Sequence, residues 1–161
     1  MAFDAFVKID EIEGESRDEG HSGWIEVIRF AFALRQKISG SASSAGGASA
    51  GRADFRDFIF KKELDHASPQ LALACAAGTH IDEIRLALFR AGGEKVKFME
   101  YKLQNCLISR IQAFGASRFP TENVRINFGK IHWQYVRQQR AGGGPCGQVS
   151  TGWDLQRNCK L

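Results

Sequence analysis

At 161 residues, 43% hydrophobic and 25% charged, the chain has the size and composition of one folded domain, which excludes wholesale disorder. Its net charge of +4 comes from 22 basic residues dispersed among 18 acidic ones, with no run resembling the clustered stripe of a nucleic-acid footprint. No apolar window reaches the roughly 18 residues of a transmembrane helix. The N-terminus MAFDAFVKIDEIEGES lacks the basic and apolar regions of a Sec-type signal, so synthesis and folding in the cytoplasm are expected.

From the N-terminus, Phe3, Ala5, Val7 and Ile9 share one face of a period-two pattern, which predicts a strand. EIEGESRDEGHSG follows, polar and punctuated by Gly, and predicts a loop. Trp24 to Leu34 is predicted as one strand. Trp24, Glu26, Ile28, Phe30 and Phe32 lie on one side, and Ile25, Val27, Arg29, Ala31 and Ala33 on the other. Both faces are substantially apolar, so this strand needs cover on both sides. Residues 39–52 are almost entirely Gly, Ala and Ser and predict a flexible internal loop, of a length that is usually functional.

Ala53 to Lys62, with Phe55, Phe58 and Phe60, predicts the next strand. In DHASPQLALACAAG, Ser68 suits an N-cap, Pro69 the first helical position and Gly78 the C′ position. One helix is predicted over about 68–77, apolar nearly all round and therefore buried on several sides. Strands resume at Ile81 to Arg90. Ala91-Gly92-Gly93-Glu94 signals a hairpin, and Lys95 to Leu103 continues towards Ile111. Val124, Ile126 and Phe128 alternate, as do Ile131, Trp133 and Tyr135. Gly142 to Pro145 forms a turn, and the tail GWDLQRNCKL is polar apart from Trp153 and Leu155. Eight or nine strands and one helix predict a mainly β, antiparallel barrel or sandwich, in a single domain spanning 1–161.

No enzyme signature stands out. There is no GxSxG, and Gly46, Gly47 and Gly51 lack the GK[ST] of a phosphate loop. Cys75, Cys106, Cys146 and Cys159 form no CxxC pair, and His21, His66, His80 and His132 have no zinc-ligand spacing, so neither metal nor cofactor is expected. Basic and aromatic residues interleave at Lys95, Lys97, Phe98, Tyr101 and Lys102. That leaves open a nucleic-acid-binding barrel beside a small-ligand one, although a solvated hairpin face explains the pattern.

Seven blocks resemble, in order and over residues 3–158, the Hcp family of type VI secretion tube proteins. They are FVKIDEIEGES with Asp18 and His21, WIEVIRFAF, SASSAGGASAGR, DHASPQLALACAAGTHI, RAGGEKVKFMEYKLQN, PTENVRINFGKIHWQY and GWDLQRN. The resemblance implies a β-barrel of two antiparallel sheets with one helix alongside. It implies homohexameric rings that stack into a tube, partners in the sheath, spike and baseplate, and effector proteins carried in the lumen. It implies export by contraction, with no signal peptide, no nucleic acid and no membrane insertion.

On this reading the ring-stacking loop holds Ser41, Ser43, Ser44, Gly46, Gly47, Ser49, Gly51 and Arg52. The subunit-interface or lumen strand holds Trp24, Ile28, Phe30, Ala31 and Phe32. Family members often carry a polar residue between two aromatics in that strand, associated with the lumen and with cargo. Here Ala31 takes that place and offers no side-chain hydrogen bond.

Overall fold

The alternation of the first strand survives folding: β1 spans Phe3–Ile9, with Ala5, Val7 and Ile9 buried on one face and Phe6 on the other. The structure, a computed structural model, describes residues 3–39, 49–91, 95–116, 118–139 and 145–161. In chain order after β1 come β2 (Ile25–Glu26), β3 (Arg29–Ala31), β4 (Leu34–Arg35), β5 (Ile38–Ser39), β6 (Ser49–Ala50), β7 (Asp54–Phe55) and β8 (Phe58–Glu63). Helix α1 (Ser68–Ala77) follows, then β9 (Ile81–Arg90), β10 (Lys97–Phe114), β11 (Thr121–Gln138), β12 (Pro145–Asp154) and β13 (Cys159–Lys160).

Pairing is antiparallel throughout, and it runs in a circuit. β1 pairs with β9, β9 with β10, and β10 with β11. The first half of β11 pairs with β8, its second half with β12, and β12 with β13. β8 pairs with β3, while β2 pairs with β1. Between β2 and β3 the Val27 amide donates to the Ala5 carbonyl (2.9 Å) and the Ile28 amide to the Lys61 carbonyl (2.8 Å). The segment 25–31 therefore bridges β1 and β8, the two ends of this circuit, as the expected barrel requires. Ile25, Phe58, Phe60, Ile84, Leu86, Leu103 and Ile126 fill its interior.

Trp24–Leu34 is thus not the single strand that its composition predicts. Ile25 and Val27 pack inward, and so do Phe30 and Phe32, so the inward parity changes at a bend around Ile28. A chain that leaves one sheet for another turns such a corner with a bend. The two apolar faces serve one interior in succession, and Ile28 at the bend is 51% exposed.

The two runs Val124–Phe128 and Ile131–Tyr135 are halves of one strand, carried through Gly129. Opposite Gly129 the ladder steps from Gln104↔Lys130 to Cys106↔Phe128, and Asn105 adopts φ 54°. A Cβ on Gly129 would stand 3.1 Å from the Asn105 Cβ, so any larger residue there must push Asn105 aside by a few tenths of an ångström.

The helix has the expected bounds but not the expected environment. Its N-cap is Ala67, and Ser68 is the first helical residue, its hydroxyl engaged elsewhere. Gly78 ends it in the left-handed conformation (φ 62°), with the Thr79 amide bonded to the Ala74 carbonyl. Leu71 and Ala74 are buried, whereas Leu73 is 62% exposed. The helix lies against the barrel along one stripe. Its alanines report helix propensity rather than burial. The C-terminal pair β12 and β13 went unpredicted because Pro145–Thr151 is exposed on both faces and carries no alternating pattern.

Candidate assembly surfaces

Several residues of the quoted sequence blocks fasten the frame. Lys62 is fully buried on β8, and its ammonium reaches Asp65 Oδ1 (2.6 Å), Glu122 Oε1 of β11 (2.8 Å), Ser68 Oγ (3.0 Å) and the Glu63 carbonyl (2.8 Å). The Ser68 hydroxyl donates to Glu122 Oε1 (2.7 Å) and accepts from the Asp65 amide (3.0 Å). One cation thus joins two strands and the start of the helix. It gives a structural role to Asp65, Ser68 and Glu122, which lie in the sequence blocks noted above.

A second clamp holds the acidic loop 10–23. Asp18 binds Lys95, and its Oδ1 lies 2.9 Å from His21 Nδ1; Lys95 also reaches Asp4 (3.1 Å). The His21 ring stacks on Phe6 (4.9 Å between centroids) and packs against Phe89 and Trp24. Gly14 is required where this loop crosses the barrel closure, since a Cβ would lie 2.4 Å from the Trp24 carbonyl oxygen. Lys95 and then His21 lower the Asp18 carboxyl from 3.8 to about 2. A carboxylate whose folded pKa is depressed stabilises the fold above its unfolded value and loses that contribution as pH falls towards the folded one. Asp18→Asn should therefore flatten the fall in urea midpoint between about pH 4 and about pH 2. Parallel acid limbs for variant and parent would refute the clamp.

The described ends of the predicted stacking loop belong to a paired arm. Ser41, Ser43, Ser44, Gly46 and Gly47 lie outside the described residues. Below them the ends are not a structureless loop but a ladder, with Ile38 opposite Ala50 and Leu34 opposite Phe55. The Gly51 amide donates to the Lys37 carbonyl (2.9 Å), and Gln36 Nε2 donates to the Gly51 carbonyl (2.6 Å). Because β3 pairs with β8, β4 with β7 and β5 with β6, the arm prolongs one hairpin away from the barrel. Its base is fixed by Phe55, which packs against Phe128 and Trp133, and by Arg52 Nη2, which donates to the Leu155 carbonyl. Ile38 on its stem is 69% exposed.

The predicted interface strand divides. Trp24 belongs to a small cluster with Phe6, Ala87 and Phe89. Phe30 and Phe32 join Phe58, Tyr101 and Trp133 in an aromatic stack inside the barrel. Only Ile28 and Ala31 of the five are exposed.

Sequence reasoning missed what surrounds Ala31. Register places Arg29 opposite Lys61, Ala31 opposite Ile59, Ile59 opposite Arg125, and Arg125 opposite Arg110. Directly opposed residues share a face, so four cations separated in sequence meet on the outward side of β3–β8–β11–β10. None of them has an ion pair among the described residues. A charge count per window cannot see this, because the four cations lie on four different strands.

The remaining candidates stand apart. Cys75, Cys106, Cys146 and Cys159 are free thiols, and burial, then the Glu83 charge, pushes Cys106 up to about 12. Among the described residues no three His, Cys, Asp or Glu side chains gather as a metal site.

Every buried side-chain polar atom among the described residues has a hydrogen-bond partner. What stays open is surface: an arm, an edge strand and a charged sheet face. That defines a structural protein built to meet other proteins. The model of the family described as "Type VI secretion system effector, Hcp" matches residues 6–135. "Protein hcp1" of Pseudomonas aeruginosa is 34% identical over 98% of either chain. A solved "type six secretion system protein" superposes with a TM-score of 0.94 at 32% identity, covering 99% of this chain and 100% of the other. Hcp1 from Salmonella typhimurium does so with 0.81 at 27%, covering both chains fully. The chain belongs to the Hcp family, the structural tube proteins of type VI secretion.

Proposed function

We propose that this chain, as a single barrel domain, forms homohexameric rings that stack head to tail into the inner tube. It acts as no enzyme, uses no cofactor and carries effector proteins in the lumen. Sheath, spike and baseplate proteins are its other partners, and contraction delivers it from the cytoplasm to the outside or to a target cell. The observation that carries the reading is the arm: paired segments that leave the barrel and expose Ile38. Ser49, Gly51 and Arg52 lie at its stem, which supports stacking through the arm; the lumen is proposed on the face of Ala31. The aromatic filling of the interior leaves a small-ligand barrel without support.

Negative-stain electron microscopy of the purified protein should show rings with a central hole. A strictly monomeric species across a wide concentration range would rule out the reading. Removing Ser41 to Ala50 should leave the barrel folded and the rings intact while stacking and secretion fall; an unfolded deletion variant would make the arm structural instead.

A further inference from the structure

We infer that the outward face around Ala31 is a docking surface for acidic polypeptide, a refinement that rests on the proposed tube function and names the chemistry of its cargo. Arg29 lies opposite Lys61, and Arg125 opposite Arg110. Adjacent strands are about 4.8 Å apart, so each pair sets two positive side chains beside one another. Like charges directly opposed weaken a sheet, and the subunit gains nothing from them by itself. Two carboxylates approach the face. Asp57 is already engaged, accepting from Ser109 Oγ (2.6 Å) and Asn127 Nδ2 (3.1 Å). Glu63 stands at the far end of β8, opposite Thr121. The cations keep an excess that only an external anion neutralises.

The setting favours polypeptide over nucleic acid. Binding of single strands uses aromatic platforms on which bases stack, and the aromatics of β3 and β8, namely Phe30, Phe58 and Phe60, turn into the barrel. Between the charged pairs lie Ala31 and Ile59, small and apolar. A segment that alternates carboxylate and small apolar side chains matches both features. Ala31 offers no side-chain hydrogen bond, so charge and shape carry recognition at this position.

The test uses assembled rings of the full chain and a fluorescein-labelled glutamate–alanine peptide, with a lysine–alanine peptide and single-stranded oligo-dT as comparisons, followed by anisotropy. Wild-type rings should bind the acidic peptide, less tightly as salt rises. Lys61→Glu with Arg125→Glu should weaken it roughly tenfold or more, the scale for close charge pairs reversed at an interface, with rings intact by light scattering. Lys8→Glu with Lys102→Glu, an equal change of charge on another part of the barrel, should leave binding near the wild-type value. Should the reversed pair not fold, Lys61→Gln with Arg125→Gln should show the same loss in smaller degree. Equal losses from the two sites, preference for oligo-dT, or rings that fall apart when Lys61 and Arg125 are changed would each overturn the inference. Rings that form and ignore the peptide sink this inference alone, whereas a wild-type protein that forms no rings sinks the tube reading with it.

Discussion

Lys62→Met should destabilise the fold by about 3–5 kcal/mol, the cost of leaving a buried charge without its partner. For a domain of this size that corresponds to a fall in Tm of roughly 6–20 °C. The reason is local. Glu122 is 3% exposed, and Lys62 is the cation facing it. Asp65 and Ser68 would lose the same partner, loosening the start of α1 from β8 and β11. Thermal and urea unfolding of the purified variant measure the effect. Replacing Glu122 by Leu in the same chain should recover part of the loss, because burying no charge is cheaper than burying one unpaired. A cost under about 1 kcal/mol for Lys62→Met alone would show that water replaces the ammonium freely and that the site is not a clamp.

Phe58→Ala should cost a similar amount, about 3–5 kcal/mol, from lost burial and the cavity left behind. Phe58 is 1% exposed, and its ring lies 5.4 Å from Tyr101, 6.0 Å from Phe30 and 6.2 Å from Phe32. Two of those three rings sit on the closing segment and its continuation into the arm, so the variant should also form fewer rings at equal concentration. Urea denaturation and light scattering read the two effects. A loss under about 1.5 kcal/mol would mean that the aromatic stack collapses onto the gap.

The bounds of β1, α1 and β9 were legible because their patterns are local: strict alternation in Phe3–Ile9, and Pro69 and Gly78 around a run of helix formers. The resemblance of the sequence blocks supplied the family. What stayed hidden was set by tertiary pairing. The bend at Ile28 depends on which strand each half of 25–31 joins. The role of Ser68 depends on Glu122, 54 positions away. Pro145–Thr151 pairs as an edge with neither face buried, so nothing in its composition marks it. The candidate surfaces divide in the same way. Glycine and serine mark a loop at 39–52 from sequence alone, whereas the ladder at its ends and the cations around Ala31 come together only through register.

The barrel is a hoop with a clasp rather than a continuous band. β10 and β11 run together over most of eighteen residues each, whereas the clasp holds β1 through Ile25 and Glu26 and β8 through Arg29 to Ala31. Local opening is easiest where ladder bonds are few, so the hoop unfastens here before any hairpin tears. The arm continues directly from the same two strands, β3 and β8. If rings stack through the arm as proposed, tension applied there by a neighbour is delivered to the clasp, and the grip between rings and the closure of each subunit become one mechanical property.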